Sequence, residues 1–208
     1  MIIAIIGGVG SGKTLSAVRN ILKQDKKAYI NFKVKSKKAY RLKKEDILNE
    51  YFVGKKKTYE VNWDFWENAK NKGNFDIYLD EVHQLFNSRK SMTGWNVAGT
   101  TFISQIRKLM DSSEDSNIYL LTQKLTRLDV AWRDLLHGIV FCQKVKKGKE
   151  IIIMQYCFFG RKIQDPVVAY NQFLMGAGKT YDYRKPFLAN PYFNYYDSYE
   201  MVKDTAYL

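Results

Sequence analysis

Apolar residues come first in short unbroken runs and then at helical or alternating spacing. Ile2-Ile3-Ala4-Ile5-Ile6 is continuous and stops at Gly7-Gly8, as expected of a strand buried on both faces. Leu15, Val18, Ile21 and Leu22 follow helical spacing, which predicts a helix starting near Lys13. Residues 28–32, 75–79 and 118–122 repeat the short apolar run. Residues 138–145 and 150–158 flank Lys146-Lys147-Gly148-Lys149, the pattern of a β-hairpin. Strands alternating with helical stretches predict an α/β body over residues 1–160, with a mainly parallel central sheet flanked by helices. Residues 161–208 read differently. All three prolines (Pro166, Pro186, Pro191) lie there, and seven of the 15 tyrosines fall between Tyr181 and Tyr207. This predicts an extended, tyrosine-rich segment packed on the core or on a partner. No internal repeat or low-complexity tract interrupts the chain.

The composition narrows the class. With 208 residues, 46% hydrophobic and 26% charged, the chain has the balance of one globular domain rather than a disordered one. No apolar run approaches the roughly 18 residues that a membrane helix needs. The first apolar run has no basic lead and feeds straight into a glycine loop, so no signal peptide is expected. Two cysteines, Cys142 and Cys157, are too few for a disulfide framework or a four-thiolate zinc site. They are read as small packing residues of a cytoplasmic protein, in the host cytoplasm if the chain is viral.

Charge changes the picture most. Thirty-four Lys and Arg against 21 Asp and Glu leave +13 and a pI near 9.5, a surface that attracts polyanions. Ten of these cations fall in one stretch: Lys33, Lys35, Lys37, Lys38, Arg41, Lys43, Lys44, Lys55, Lys56 and Lys57. Tyr40, Tyr51 and Phe52 are interleaved with them. Such a stretch reads either as a solvated face or as a surface that grips nucleic-acid phosphates without regard to sequence.

The chemistry concentrates in three places. Gly7-Gly8-Val9-Gly10-Ser11-Gly12-Lys13-Thr14 matches the Walker A pattern G-x-x-x-x-G-K-[ST] between a buried strand and a helix, with Leu15 completing the candidate nucleotide-binding stretch. Its glycines let backbone N–H groups curl around a phosphate, Lys13 reaches the β- and γ-phosphates, and the Thr14 hydroxyl is a Mg²⁺ ligand. Phe75-Asp76-Ile77-Tyr78-Leu79-Asp80-Glu81 is an apolar strand ending in two carboxylates, a Walker B pattern. Asp80 is the metal-binding candidate and Glu81 the base for an attacking water. The strand 118–122 ends in Thr122-Gln123, whose amide is placed to orient that water. Gly176-Ala177-Gly178-Lys179-Thr180 imitates the phosphate loop, but Phe173 stands where the first glycine is required, so it is given no phosphate role. His83 is read as a structural histidine beside the acidic pair, and Trp63 and Trp66 as core.

Taken together, these residues resemble the FtsK–HerA superfamily of DNA-pumping P-loop ATPases. Within it they are similar to zonula occludens toxin-like (Zot) proteins, a group that includes filamentous-phage assembly ATPases. Packaging ATPases of archaeal viruses belong to the same superfamily. The matching pieces are Gly7 to Thr14, Asn31, Asp80-Glu81 with Gln84, Thr122-Gln123 and Thr180-Tyr181-Asp182, spanning roughly residues 1–185. The resemblance implies a RecA-like sheet, assembly into a homo-oligomeric ring, and an arginine finger donated to a neighbour. By position that finger is Arg107, with Arg127 and Arg133 as alternatives. Filamentous-phage members carry a transmembrane segment after the ATPase region. This chain has none, which tilts the expectation towards a packaging or translocation motor.

The expected function is Mg²⁺-dependent ATP hydrolysis driving double-stranded DNA along without sequence preference, in genome packaging or virion assembly. A capsid or portal-like protein is a further expected partner. Two other classes stay open. One is a small nucleoside kinase, although the zinc-containing thymidine kinases need four cysteines. The other is a nucleotide-binding assembly scaffold without significant turnover.

Overall fold

The computed structural model describes residues 1–86, 93–110, 116–162 and 165–196. In chain order its strands are β1 (Ile2–Ile6), β2 (Lys27–Ile30), β3 (Ala39–Arg41), β4 (Leu48–Val53), β5 (Lys56–Val61), β6 (Phe75–Leu79), β7 (Ile118–Thr122), β8 (Gly138–Lys147), β9 (Glu150–Phe158) and β10 (Tyr183–Leu188). The helices are α1 (Lys13–Lys23), α2 (Lys44–Ile47), α3 (Trp63–Asn71), α4 (Val82–Leu85), α5 (Gly94–Leu109), α6 (Val130–Arg133) and α7 (Pro166–Leu174). Two 3₁₀ turns, Leu125–Arg127 and Asn190–Tyr195, complete the set.

Eight strands form one sheet in the order β10-β9-β8-β1-β7-β6-β2-β3. From β8 to β3 every pairing is parallel. β9 and β10 extend the sheet antiparallel beyond β8, so the expected hairpin is β8–β9, with β10 as the outer strand. β1 lies near the middle and all five of its residues are buried. Its alternation builds both layers of the core. Ile2, Ala4 and Ile6 face a cluster with Trp66, Phe102, Ile106 and Trp132, from α3, α5 and α6. Ile3 and Ile5 face a second cluster with Ala17, Val18 and Ile21 of α1. A continuous apolar run is what a strand covered on both faces requires.

Two regions differ from the sequence-based expectation. The lysine-rich stretch contains a separate two-stranded ribbon, β4–β5, with the two-residue turn Gly54-Lys55. Only Leu48 and Val61 at its base are buried, so its sequence lacks the apolar alternation of a half-buried strand. The tyrosine-rich part is not extended throughout, because it opens with α7. Asp165 Oδ1 accepts from the Val167 and Val168 N–H groups at 2.7 and 3.4 Å, and Pro166 occupies the first turn, where no N–H is needed. β10 then adds to the sheet edge and buries Phe187, while the Asn190–Tyr195 turn brings Tyr192 against the cluster around α1. Residues 111–115, from the acidic stretch 111–117, and Tyr199 and Tyr207 lie outside the described residues.

Candidate functional site

Parallel strands deliver their C-terminal ends to one edge of the sheet, where open α/β folds bind ligands. β1, β7 and β6 are neighbours, and the loops leaving them carry Gly7–Thr14, Gln123 and Asp80-Glu81. Residues scattered over more than half the chain thereby meet.

The phosphate loop turns on its glycines. Gly12 caps α1 at φ 94°, a left-handed conformation, and a Cβ there would strike the Ile153 side chain of β9. A Cβ on Gly7 would lie 2.6 Å from the Cys142 carbonyl oxygen. Lys13 is buried, and its Nζ donates to the carbonyl oxygens of Gly7 (3.0 Å) and Gly8 (3.2 Å). Ser11 Oγ is shielded from solvent without a hydrogen-bond partner. Val9 stands out at the tip of the loop, and Leu15 packs partly against the cluster around α1.

Thr14 Oγ1 donates to Asp80 Oδ2 at 2.6 Å, so the two metal-binding candidates are in contact. Burial pushes the Asp80 carboxyl up to about 6; the Thr14 hydrogen bond opposes this and the neighbouring Glu81 charge adds to it. A bound cation would reverse that balance and favour the carboxylate. Among the described residues no group of three or more His, Cys, Asp or Glu gathers to hold a metal. One hydroxyl and one carboxylate suit Mg²⁺, which fills its shell with water and phosphate oxygens rather than an all-protein cage. The residues present therefore fit Mg²⁺ with a nucleotide. The unpartnered Ser11 hydroxyl fits a phosphate in the same way.

Asn31, just past β2, grips the backbone of Asp80 from the side. Its Oδ1 accepts from the Asp80 N–H at 2.6 Å and its Nδ2 donates to the Asp80 carbonyl at 2.8 Å. Glu81 is the one non-glycine with positive φ among the described residues, at 46°. Gln123 Nε2 donates to Glu81 Oε1 at 3.3 Å, so the candidate base and the candidate water-orienting amide touch.

His83 lies behind Glu81. Its Nδ1 is 3.3 Å from Glu81 Oε2, and its Nε2 is 3.0 Å from Arg127 Nη1. Burial holds the imidazole below its ordinary pKa, with Arg127 and Lys13 acting in the same direction and Glu81 against them. This pair has no local sequence signal, because histidine and arginine stand 44 positions apart.

Arg107 sits elsewhere. It is near the end of α5, with Nη1 3.4 Å from His137 Nε2. The His137 backbone N–H donates to the Ile2 carbonyl at 2.8 Å, at the N-terminal edge of the sheet. Within one chain Arg107 is thus at the edge opposite the phosphate loop. Arg133 ends α6, and its Nε has no hydrogen-bond partner. The imitation loop at Gly176–Thr180 follows α7, and Thr180 Oγ1 donates to the Ala169 carbonyl at 2.7 Å.

A profile of the family described as zonular occludens toxin (Zot) matches residues 1–198. The chain belongs to the Zot family. Among solved structures it is similar to the N-terminal domain of zonular occludens toxin from Neisseria meningitidis, at 18% identity and a TM-score of 0.56. That match covers 94% of this chain and 98% of the other. The genome packaging NTPase B204 from Sulfolobus turreted icosahedral virus 2, solved in complex with ATP-gammaS, matches at 11% identity and a TM-score of 0.44, over 73% of this chain and 90% of its own. A KaiC-like protein from Pyrococcus horikoshii OT3 matches at 11% and 0.47, over 79% and 81%. No curated protein matches. The Zot-family chain has an α/β fold with a mainly parallel central sheet flanked by helices. None of its described helices is long and apolar enough to cross a membrane.

Proposed function

We propose that this Zot-family chain is a Mg²⁺-dependent ATPase that couples hydrolysis to movement of double-stranded DNA, working as a homo-oligomeric ring in genome packaging or virion assembly. The observation that carries the reading is the meeting of Lys13, Thr14, Asp80, Glu81 and Gln123 at one sheet edge. The contacts Thr14–Asp80 at 2.6 Å and Gln123–Glu81 at 3.3 Å link its members. A solvent-exposed acidic turn would not be wired to the end of the neighbouring strand and to the helix that follows the phosphate loop.

In this reading Lys13 releases the Gly7 and Gly8 carbonyls and holds the β- and γ-phosphates. Thr14 and Asp80 would hold Mg²⁺, which would supply charge neutralisation for the phosphate groups. Gln123 orients the attacking water and Glu81 takes its proton, a contribution on the order of 10²- to 10⁴-fold. Arg107 is assigned to a neighbouring subunit's site, which agrees with its distance from the site in its own chain. The DNA part rests on the +13 charge and on the exposed lysines of the β4–β5 ribbon.

The test is phosphate release from ATP with and without long double-stranded DNA, with Glu81→Gln as the blank. Turnover that rises with DNA and disappears in Glu81→Gln, while ATP still binds, is the expected result. Negligible turnover in the wild type under every condition, with ATP bound, sinks the motor and favours an assembly scaffold. Phosphate passed to a nucleoside rather than to water would indicate a kinase.

A further inference from the structure

The Arg127–His83–Glu81 line joins two strand ends, and two of its members, His83 and Arg127, have no part in the mechanism above. A guanidinium has only donors, so the 3.0 Å contact from Arg127 Nη1 requires His83 Nε2 to be the acceptor. In a neutral imidazole the single proton then sits on Nδ1. That N–H edge faces two oxygens, Glu81 Oε2 at 3.3 Å and Thr122 Oγ1 at 3.5 Å. Thr122 donates its own proton to the Lys124 carbonyl at 3.3 Å, so its oxygen is free to accept. Glu81 Oε2 is shielded from solvent and His83 Nδ1 is the polar atom beside it, although the pair is not aligned as a full hydrogen bond. Oε1 is taken by Gln123.

From this geometry we infer that His83 is a positioning residue for Glu81, held in its Nδ1–H tautomer by Arg127 of the same chain. The inference rests on the ATPase reading in giving Glu81 the water. It makes Arg127, an alternative to Arg107 as the finger, a brace acting within its own chain. The carboxylate of Glu81 projects from a left-handed backbone, so its direction depends on what its two oxygens touch. Gln123 holds one and His83 steers the other. Because Arg127 follows β7 and His83 follows β6, the brace also ties the strand end that carries Gln123 to the one that carries Glu81.

The experiment has two readouts on the full chain. Nitrogen-15 NMR of labelled histidine reports the tautomer directly. The chain has only two histidines, and His83→Asn identifies its own signals by removing them. The wild type should show His83 neutral with the proton on Nδ1, and Arg127→Leu should move it towards the Nε2–H form. In ATP hydrolysis, His83→Ala and Arg127→Leu should each lower kcat by roughly 10- to 100-fold, the scale of a misplaced catalytic group, with KM changed little. Their double mutant should be no worse than either alone. His83→Asn, which keeps a donor near the Nδ1 position, should recover much of the kcat lost in His83→Ala. An Nε2–H tautomer in the wild type, or a tautomer unmoved by Arg127→Leu, overturns the brace whether or not the chain hydrolyses ATP. So does restored turnover on mixing Arg127→Leu with Glu81→Gln subunits, because that result puts Arg127 in a neighbour's site.

Discussion

Asn31 performs with one side chain what a strand does with its backbone. Its amide both donates to and accepts from Asp80, adding a rung between the ends of β2 and β6 where the ladder has stopped. Asn31→Leu keeps the size but leaves the Asp80 N–H and carbonyl without these partners. The expected cost is about 1–3 kcal/mol, the penalty for unpaired buried polar groups, read as a lower denaturation midpoint. Nucleotide affinity should fall as well, because Asp80 loses its lateral support. Single residues were the most legible scale in the sequence. Lys13, Thr14, Asp80 and Glu81 each sit beside the run that positions them, so spacing alone locates them. His83 and Arg127 were not legible as a pair, since their meeting depends on which strands become neighbours. Arg107 was placed by resemblance to a trans-acting finger. Its position at the far edge of its own chain is a property of α5, which runs back along the sheet from the β6 side.

At the scale of elements, β1 is fastened at its start as well as at its glycine end. The Ile2 N–H donates to His137 Nδ1 at 3.2 Å, which requires that nitrogen to be unprotonated. Burial, the chain's amino terminus and Arg107 all hold His137 below its ordinary value of 6.5. The unfolded chain therefore takes up a proton here at a pH where the folded chain does not, so the contribution of His137 to stability rises with pH across that interval. His83 is displaced in the same direction and adds to the effect. The Asp80 carboxyl, pushed up to about 6, works in the opposite direction, so the test is a comparison: as pH falls below 6.5, the wild type should lose stability relative to His137→Gln, read as a narrowing difference in denaturation midpoint. Elements were legible where both faces are buried, as in β1, β6 and β7. The ribbon β4–β5 was not, because most of its residues face solvent and no apolar period marks it. α7 was obscured by Pro166, which reads as a breaker but here begins the helix.

For the whole molecule, the charge of +13 is a statement about partners rather than about fold. The turn of the β4–β5 ribbon exposes Lys55 and Lys56 beside Phe52 and Val53, well away from the buried base. If this tip grips the DNA backbone, replacing both lysines with alanine weakens binding evenly across sequences. It should also lower the slope of log affinity against log salt by about 2, one for each phosphate no longer held. Fluorescence anisotropy on unrelated duplexes over a salt series measures both effects. An unchanged slope moves the DNA-binding surface to another face.

The central place of β1 also sets an order of events at the ribosome. Its residues are made before those of its partners, Ile118–Thr122 on one side and the start of β8 at Gly138 on the other. Pairings so distant in sequence form slowly and late. Two contacts come later still: Phe187 lies beneath Arg19 of α1 at 4.9 Å, and the Tyr195 carbonyl accepts from the Lys35 N–H, past β2, at 3.0 Å. The phosphate loop therefore leaves the exit tunnel long before the sheet that shapes it. Nascent chains arrested ahead of residue 118 should be cut by protease around Gly7–Thr14, and only chains released past residue 196 should gain full protection. On the ATPase reading, synthesis itself would keep the loop from closing on a nucleotide until the domain around it has been made.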